Sequence, residues 1–313
     1  MSYSSNFFET HSVQTPSIDA AEIVKFEAAG FETSDFYLTY QNYSVLQNPF
    51  RKFPYYSAVN VDGKLFHKLK RDTIFEGSER WEKDERIPEE TQWGKALYDA
   101  KKNDFDKGHM AKREDVQWGK DVEDARLAAR STFYYTNAIP QVSKLNRGVW
   151  KSIENYILHH EAIKNNMKIC LFSGPVFRDD DPEFLKTVAN EKVLLPYLFW
   201  KVVYYVKDNV LHRAGFLTSQ HRQMQKKRIV KPVSRSEESI RSTHFNSFKD
   251  AETYQVNVSF IEQISQLSFE AAAEMFQNDD PERIILSRVN VRNSSNEESV
   301  PMEEVVASMN LKL

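Results

Sequence analysis

The sequence predicts a mixed α/β domain. Short runs rich in aromatic and β-branched residues alternate with runs whose apolar residues recur at helical spacing. Two continuous apolar runs in the middle of the chain, Lys168 to Ser173 and Leu194 to Trp200, have the character of central strands. A chain of 313 residues can bury a sizeable core, and one large domain accommodates all of these elements.

Taken in order, residues 1–16 are polar and lack a period, so they are expected to form a loose lead-in. A short helix should follow, capped by Asp19, with Glu22 three residues on as in a capping box, Ile18, Ile23 and Phe26 on its apolar face and Gly30 as its stop. Phe36 to Val45 has strand composition and is broken by Asn48-Pro49. Tyr55 to Val61 and Lys64 to Leu69 flank Asp62-Gly63, a hairpin signal. Residues 70–105 mix charges with isolated aromatics and predict a surface excursion with one helix around Glu90 to Ala100. Val122 to Arg130 predicts a helix with Ala125, Leu127 and Ala128 inward, and Ser131 to Thr136 predicts a strand.

Asn146 to Ile163 carries the strongest helical pattern, with Val149, Trp150, Ile153, Ile157 and His160 along one flank. After it, Lys168 to Ser173, Leu194 to Trp200 and Lys201 to Leu211 are strand-like, with Gly174-Pro175 and Asp179-Asp180-Asp181-Pro182 as turns. A last helix is predicted from Ser259 to Phe276, and the tail from Asn290 docks as a strand or a helix. The domain boundaries that follow are a lead-in over 1–34, the main domain over 35–280 and an extension over 281–313 packed on it.

Charged residues make up 28% and apolar residues 41% of the chain, a soluble globular balance that excludes a disordered or membrane-embedded protein. The formal net charge of -3 weakens the case for long-range attraction of nucleic acid by the whole-protein field, so a bound polyanion needs a local basic surface and a metal. Between Val206 and Asp250, ten Lys or Arg face four acids; this stretch is either a solvated excursion or a flank that touches phosphates. The single cysteine, Cys170, reads as a buried strand thiol and excludes an intrachain disulfide. Met1 to Asn6 has neither a basic nor an apolar region of a signal peptide, and Val193 to Val206 is too short to span a membrane. A cytoplasmic protein, or one exported by a non-classical route, is expected.

Polar groups suited to phosphodiester hydrolysis are concentrated between Asp106 and Glu154. The reaction needs a base for water, an electrophile for the phosphoryl oxygens and help for the leaving oxygen. His109 in Asp106-Lys107-Gly108-His109 can supply the base, and Gly108 would let backbone and substrate approach. Asn146 offers an amide oxygen, a hard ligand for Mg²⁺, which keeps most of its waters. Glu154, about two turns later, falls roughly on the same side, where it could accept hydrogen bonds from metal-bound water. Taken singly, each also has an ordinary structural account: a packed histidine, a helix-capping asparagine, an exposed helix glutamate.

Asp106-Lys107-Gly108-His109-Met110-Ala111, with Asp115 following, resembles the Asp-Arg-Gly-His motif of the DNA/RNA non-specific endonucleases, members of the ββα-metal nuclease superfamily. The similarity continues through Thr132-Phe133, Thr136-Asn137, Pro140-Gln141, Asn146-Arg147-Gly148, Trp150 and Glu154. It extends to Ser173-Gly174-Pro175-Val176-Phe177, Pro196, Lys201-Val202-Val203 and Ile261-Glu262. The resemblance implies an α+β fold, with a central antiparallel sheet flanked by helices and a ββα-metal unit on one side. It implies cleavage of DNA and RNA with little sequence preference, with His109 as general base, Asn146 as the direct Mg²⁺ ligand (Mn²⁺ substituting) and Glu154 supporting the ion's waters. Asn137 would position the base or the scissile phosphate, and Arg80 would be the upstream substrate arginine. Lys107 stands where the family usually has arginine, which keeps the charge but loses the bidentate fork, so activity is expected to be weaker or more salt-sensitive. The chain has more bulk than a minimal family nuclease needs, which implies added elements or an interface. A homodimer is also implied, and nothing in the sequence identifies an inhibitor or immunity protein. Two other functions fit the same residues: a nucleic-acid-binding module on a weakened nuclease fold, and a phosphodiesterase for small nucleotides.

Overall fold

The computed structural model describes residues 1–75, 77, 80–232, 252–284, 286–289, 305–308 and 310–312. In chain order, β1 (Ser17–Ile18) leads into α1 (Ala20–Ala28), followed by β2 (Tyr37–Tyr40), β3 (Tyr43–Asn48) and β4 (Phe53–Asp62). The one-turn α2 (Lys95–Tyr98), β5 (Asp106–His109), α3 (Val122–Ser131) and β6 (Ala138–Gln141) come next. A broken helical run then contains a wide turn at Leu145–Val149, α4 (Trp150–Asn155) and a second wide turn at Tyr156–Ile163. The remaining elements are β7 (Lys168–Val176), β8 (Leu198–Lys207), β9 (Val210–Ser219), α5 (His221–Lys226), β10 (Thr253–Val256), α6 (Val258–Ser265), β11 (Leu267–Ser268), β12 (Glu282–Arg283), β13 (Leu286–Val289) and β14 (Val305–Ser308).

Eight strands form one sheet in the order β12-β10-β9-β8-β7-β4-β3-β2, every pair antiparallel. The expected central antiparallel sheet flanked by helices is therefore present. Its middle strands are buried throughout, β4 along its whole length and β8 as far as Tyr205, as continuous apolar runs require. A separate two-stranded ribbon, β5 with β6, and the helical run from Leu145 make the ββα unit.

Several local expectations hold. Helix α1 starts at Asp19, whose carboxylate accepts the Ala21 N–H, and gives way at Gly30, whose φ is +76°. Glu22 does not close the capping box, because its carboxylate is engaged by Lys25 and by the Tyr55 hydroxyl. Cys170 is a buried thiol of β7, pushed up to about 12 by burial.

Other expectations are corrected by what competes for each backbone. Phe36 to Val45 is two strands, because Asn42 turns the chain at φ +70° and its amide donates to the carbonyls of Val116 and Trp118. Asp62-Gly63 makes no hairpin. Both edges of β4 are taken by β3 and β7, while the Asp62 carboxylate accepts the N–H groups of Lys64 and Leu65 and Gly63 donates to Met167. A side chain at Gly63 would meet the Ala162 carbonyl, so glycine is required here for close approach to the helical run.

Ser131 to Thr136 is not a strand, since Thr132 and Phe133 finish the turns of α3. In α3 itself Ala129 is buried, and Leu127 is 44% exposed. The helix expected over Glu90 to Ala100 is a single turn. The excursion around it is not all surface, because Ile87, Trp93, Leu97 and Tyr98 enter the core. Gly174-Pro175 continues β7: β4 stops pairing at Ser173, so the missing proline N–H faces no partner there.

Leu194 to Leu211 is one strand with its approach and the start of another. Asp208 and Asn209, both at positive φ, turn it into β9, so part of the basic stretch is an internal strand. The last helix ends at Gln266, which adopts the left-handed conformation and donates to the Glu262 carbonyl; the next two residues pair with β1. The N-terminal lead-in is packed, with Tyr3, Phe8 and Val13 buried and the Tyr3 ring 5.4 Å from that of Phe172. The tail from Asn290 and the basic residues Arg235, Arg241 and Lys249 lie largely or wholly outside the described residues; within the tail, β14 pairs with β13. Among the described residues no helix is long and apolar enough to cross a membrane.

Candidate active site

The ββα unit opens onto a cleft of about 580 Å³. Asp106, Lys107 and His109 of β5 and Asn146, Arg147, Lys151 and Glu154 of the helical run line it together with Arg71, Trp81, Lys112, Arg113 and Glu114. Four of the six residues selected from sequence, His109, Lys107, Asn146 and Glu154, thus converge on one cavity.

His109 ends β5, paired with Ala138 of β6. Its ring lies between aromatic walls, with the Trp81 centroid 4.7 Å away and that of Phe133 at 5.0 Å. Its Nε2 is buried and has no hydrogen-bond partner among the described residues. Burial, seconded by the nearby Arg71 and Arg113 cations, pushes the imidazole down to about 3, so at neutral pH it is uncharged. The Trp81 and Tyr98 rings lie 5.9 and 5.6 Å from the Lys107 ammonium, a cation–π cradle for the residue that replaces arginine.

Gly108 does not admit substrate. A Cβ at this position would collide with the Gln141 side chain, so its lack of side chain makes room for β6 packing.

Asn146 sits one residue inside the wide turn that opens the helical run, and caps nothing there. Its amide nitrogen donates to Asp106 at 3.0 Å, which fixes the flip and turns the carbonyl oxygen away from that carboxylate. The same carboxylate accepts Arg147 Nε at 2.9 Å and Nη2 at 2.5 Å. The run kinks at Gly148, where φ is -104° and ψ -114°, so the turn that presents Asn146 is set apart from the helix that carries Glu154.

Asn137 is fully buried. It accepts the Ala111 N–H and donates to the Ala111 and Thr132 carbonyls, so it pins the chain two residues beyond His109 and does not face the cleft. Arg80 is exposed and is not among the lining residues. Arg71, which sequence reasoning passed over in a stretch dense with charge, occupies the cleft instead.

Behind Glu154 lies a charged cluster. Lys112 contacts Glu114 at 2.9 Å and donates to Asn155 at 2.8 Å. Burial of Glu114 is outweighed by hydrogen bonding to His159 and Lys112, which holds its carboxyl well below the usual range. Burial pushes Asp115 up to about 7, despite Lys112 and Lys201.

Among the described residues no three His, Cys, Asp or Glu converge as a metal cage. The cleft instead offers an oriented amide oxygen and a carboxylate. That all-oxygen donor set suits Mg²⁺, which retains waters and needs few protein ligands.

A family description, DNA/RNA non-specific endonuclease, matches residues 22–275. An uncharacterized protein of Sinorhizobium fredii, y4fB, is 38% identical over 196 residues, 60% of this chain and 28% of that protein. Mitochondrial endonuclease G of Bos taurus is 28% identical over 147 residues, 45% of this chain and 42% of its own length. The Homo sapiens protein of the same name is 30% identical over 105 residues, 32% of this chain and 33% of its own length. The chain thus spans less than half the length of each of these relatives. Among solved structures, a chain of the EndoG/EndoGI inhibition complex superposes with a TM-score of 0.53 at 20% identity, covering 82% of this chain and 92% of that one, a likeness of fold. With the family pattern running through most of its length and the ββα unit carrying the cleft, the chain belongs to the DNA/RNA non-specific endonucleases of the ββα-metal nuclease superfamily.

Proposed function

We propose that the protein is a Mg²⁺-dependent endonuclease that hydrolyses phosphodiester bonds of DNA and RNA with little sequence preference. The observation that carries this reading is the convergence of an uncharged His109 and an Asn146 amide, oriented by Asp106, in one cleft rimmed by cations. His109 takes the proton of the attacking water: burial keeps it uncharged, and the substrate's negative charge opposes the arginines that depress it and so raises its strength as a base. Asn146 through its amide oxygen, and Glu154 through intervening waters, would hold Mg²⁺, or Mn²⁺ in its place. When bound, the ion supplies positive charge for the phosphoryl and leaving oxygens. Arg71, Lys107 and Arg147 offset the charge of the phosphodiester and hold it against the base. Asn137 acts from beneath, fixing the strand end that carries His109.

The test is nicking of supercoiled plasmid and cleavage of RNA in Mg²⁺, run beside hydrolysis of a cyclic dinucleotide. Cleavage of both polymers that EDTA abolishes is the expected result. EDTA-resistant cleavage, or none in any divalent ion, overturns the proposal; nucleic-acid affinity without turnover identifies a binding module. Turnover confined to the cyclic dinucleotide identifies a small-nucleotide phosphodiesterase.

A further inference from the structure

Lys201 lies in the middle of β8, opposite Ser173 of β7, with its side chain 0% exposed. In the sequence it is one charge in an apolar run and part of the Lys201-Val202-Val203 match to the family pattern, with no role attached to it. Its ammonium donates to Ser173 Oγ at 2.7 Å, lies 3.4 Å from Glu154 Oε1 and stands 5.1 Å from the Trp150 ring centroid. Removing an ammonium from water is costly, and a well-packed apolar side chain of similar volume often serves stability as well or better. Fold stability is therefore a weak account of a lysine here.

Geometry offers a stronger one. Glu154 reaches the cleft from a short helix between two wide turns, where the backbone alone is a poor guide for a long side chain. Its carboxylate, 8% exposed, meets a cation from the sheet side, and that cation is itself fixed by Ser173. The rigid centre of the sheet thus sets the position of one wall of the cleft.

We infer that Lys201 is a positioning residue, holding the Glu154 carboxylate where it supports the ion's waters, with Ser173 orienting the ammonium. The inference rests on the proposed role of Glu154. Removal of Lys201 alone would leave Glu154 and the buried Asp115 with reduced compensation, so Lys201→Met is paired with Lys201→Met/Glu154→Gln, which removes both charges of the pair.

Calorimetry with Mg²⁺ alone, melting temperature and single-turnover plasmid cleavage are measured on wild type, Glu154→Gln, Lys201→Met and the double variant. A positioning role predicts that Lys201→Met loses about 10–100-fold in Mg²⁺ affinity, as for other outer contacts to a metal site. It also predicts that the double variant is no worse than Glu154→Gln alone. Folded Lys201→Met with wild-type Mg²⁺ affinity and rate, or losses that multiply in the double variant, overturn the inference. If both Lys201 variants unfold, Lys201 is a stability residue and the inference fails. Wild-type protein that neither binds Mg²⁺ nor cleaves overturns the proposed function and this inference with it.

Discussion

The two walls of the cleft respond to burial in opposite chemical senses. On the His109 side, burial against aromatic rings withdraws water from a base and two arginine cations repel its charged form, so the imidazole is driven to its neutral form, down to about 3. On the Glu154 side, the same withdrawal of water pushes Asp115 up to about 7, while Lys112 and Lys201 compensate the carboxylates around it. Desolvation always favours the uncharged form, so a site that needs an uncharged base beside a charged carboxylate must bring cations into contact with its acids. This chain does so with lysines rooted behind the cleft.

The largest expected effect comes from removing the base. His109→Ala should bind Mg²⁺ and nucleic acid, while single-turnover cleavage falls by about 10²–10⁴-fold, the contribution of positioned proton transfer. Full cleavage by the folded variant would remove His109 from the mechanism. On the other wall, Asn146→Ala should weaken Mg²⁺ binding in calorimetry, with part of the rate returning at high Mg²⁺ or in Mn²⁺. Asp106→Ala, which frees the amide to flip, should cost about 10–100-fold in the same titration, the range for contacts that orient a metal ligand. Unchanged metal affinity in Asp106→Ala would show that the 3.0 Å amide contact has no orienting role.

A smaller effect separates the walls by pH. The unfolded histidine titrates near 6.5, above the folded value, so the unfolded state binds more protons between those limits. The stability due to His109 is whole above about 6.5 and is lost as pH falls toward 3. Asp115 has the opposite sign: its folded pKa of about 7 exceeds the reference 3.8, so its contribution is present at low pH and is lost as pH rises toward 7. Urea midpoints between pH 4 and 7 should therefore show Asp115→Asn gaining on wild type as pH rises and His109→Ala gaining as it falls. Parallel curves for both variants would break the comparison.

The smallest effect lies outside the cleft. Lys226, Lys227 and Arg228 follow one another at the end of α5, and Lys227 already pairs with Asp104 at 2.5 Å. If they reach the phosphate backbone, replacing all three with Ala lowers the slope of log K against log salt by up to about 0.9 for each duplex-DNA phosphate that is no longer neutralised. An unchanged slope returns them to solvated surface.

Sequence by itself determined the things that depend on local chemistry and order. The continuous apolar runs identified central strands, Asp19 and Gly30 bounded a helix, and His109, Asn146 and Glu154 stood out because their residue types, in that order, match one chemistry, with Lys107 added by the resemblance to the family motif. Only the tertiary structure decided which backbone partner won at each ambiguous point. Asp62-Gly63 has hairpin chemistry, yet β4 had no free edge for a returning strand. Gly174-Pro175 reads as a turn, yet its position past the end of β4 makes it tolerable within a strand. The choice of Arg71 over Arg80 in the cleft, the commitment of Asn137 to the backbone and the Lys201–Glu154 contact all join residues far apart in sequence. Such pairings depend on which faces meet once the sheet and the ββα unit pack together, and no local pattern carries that information.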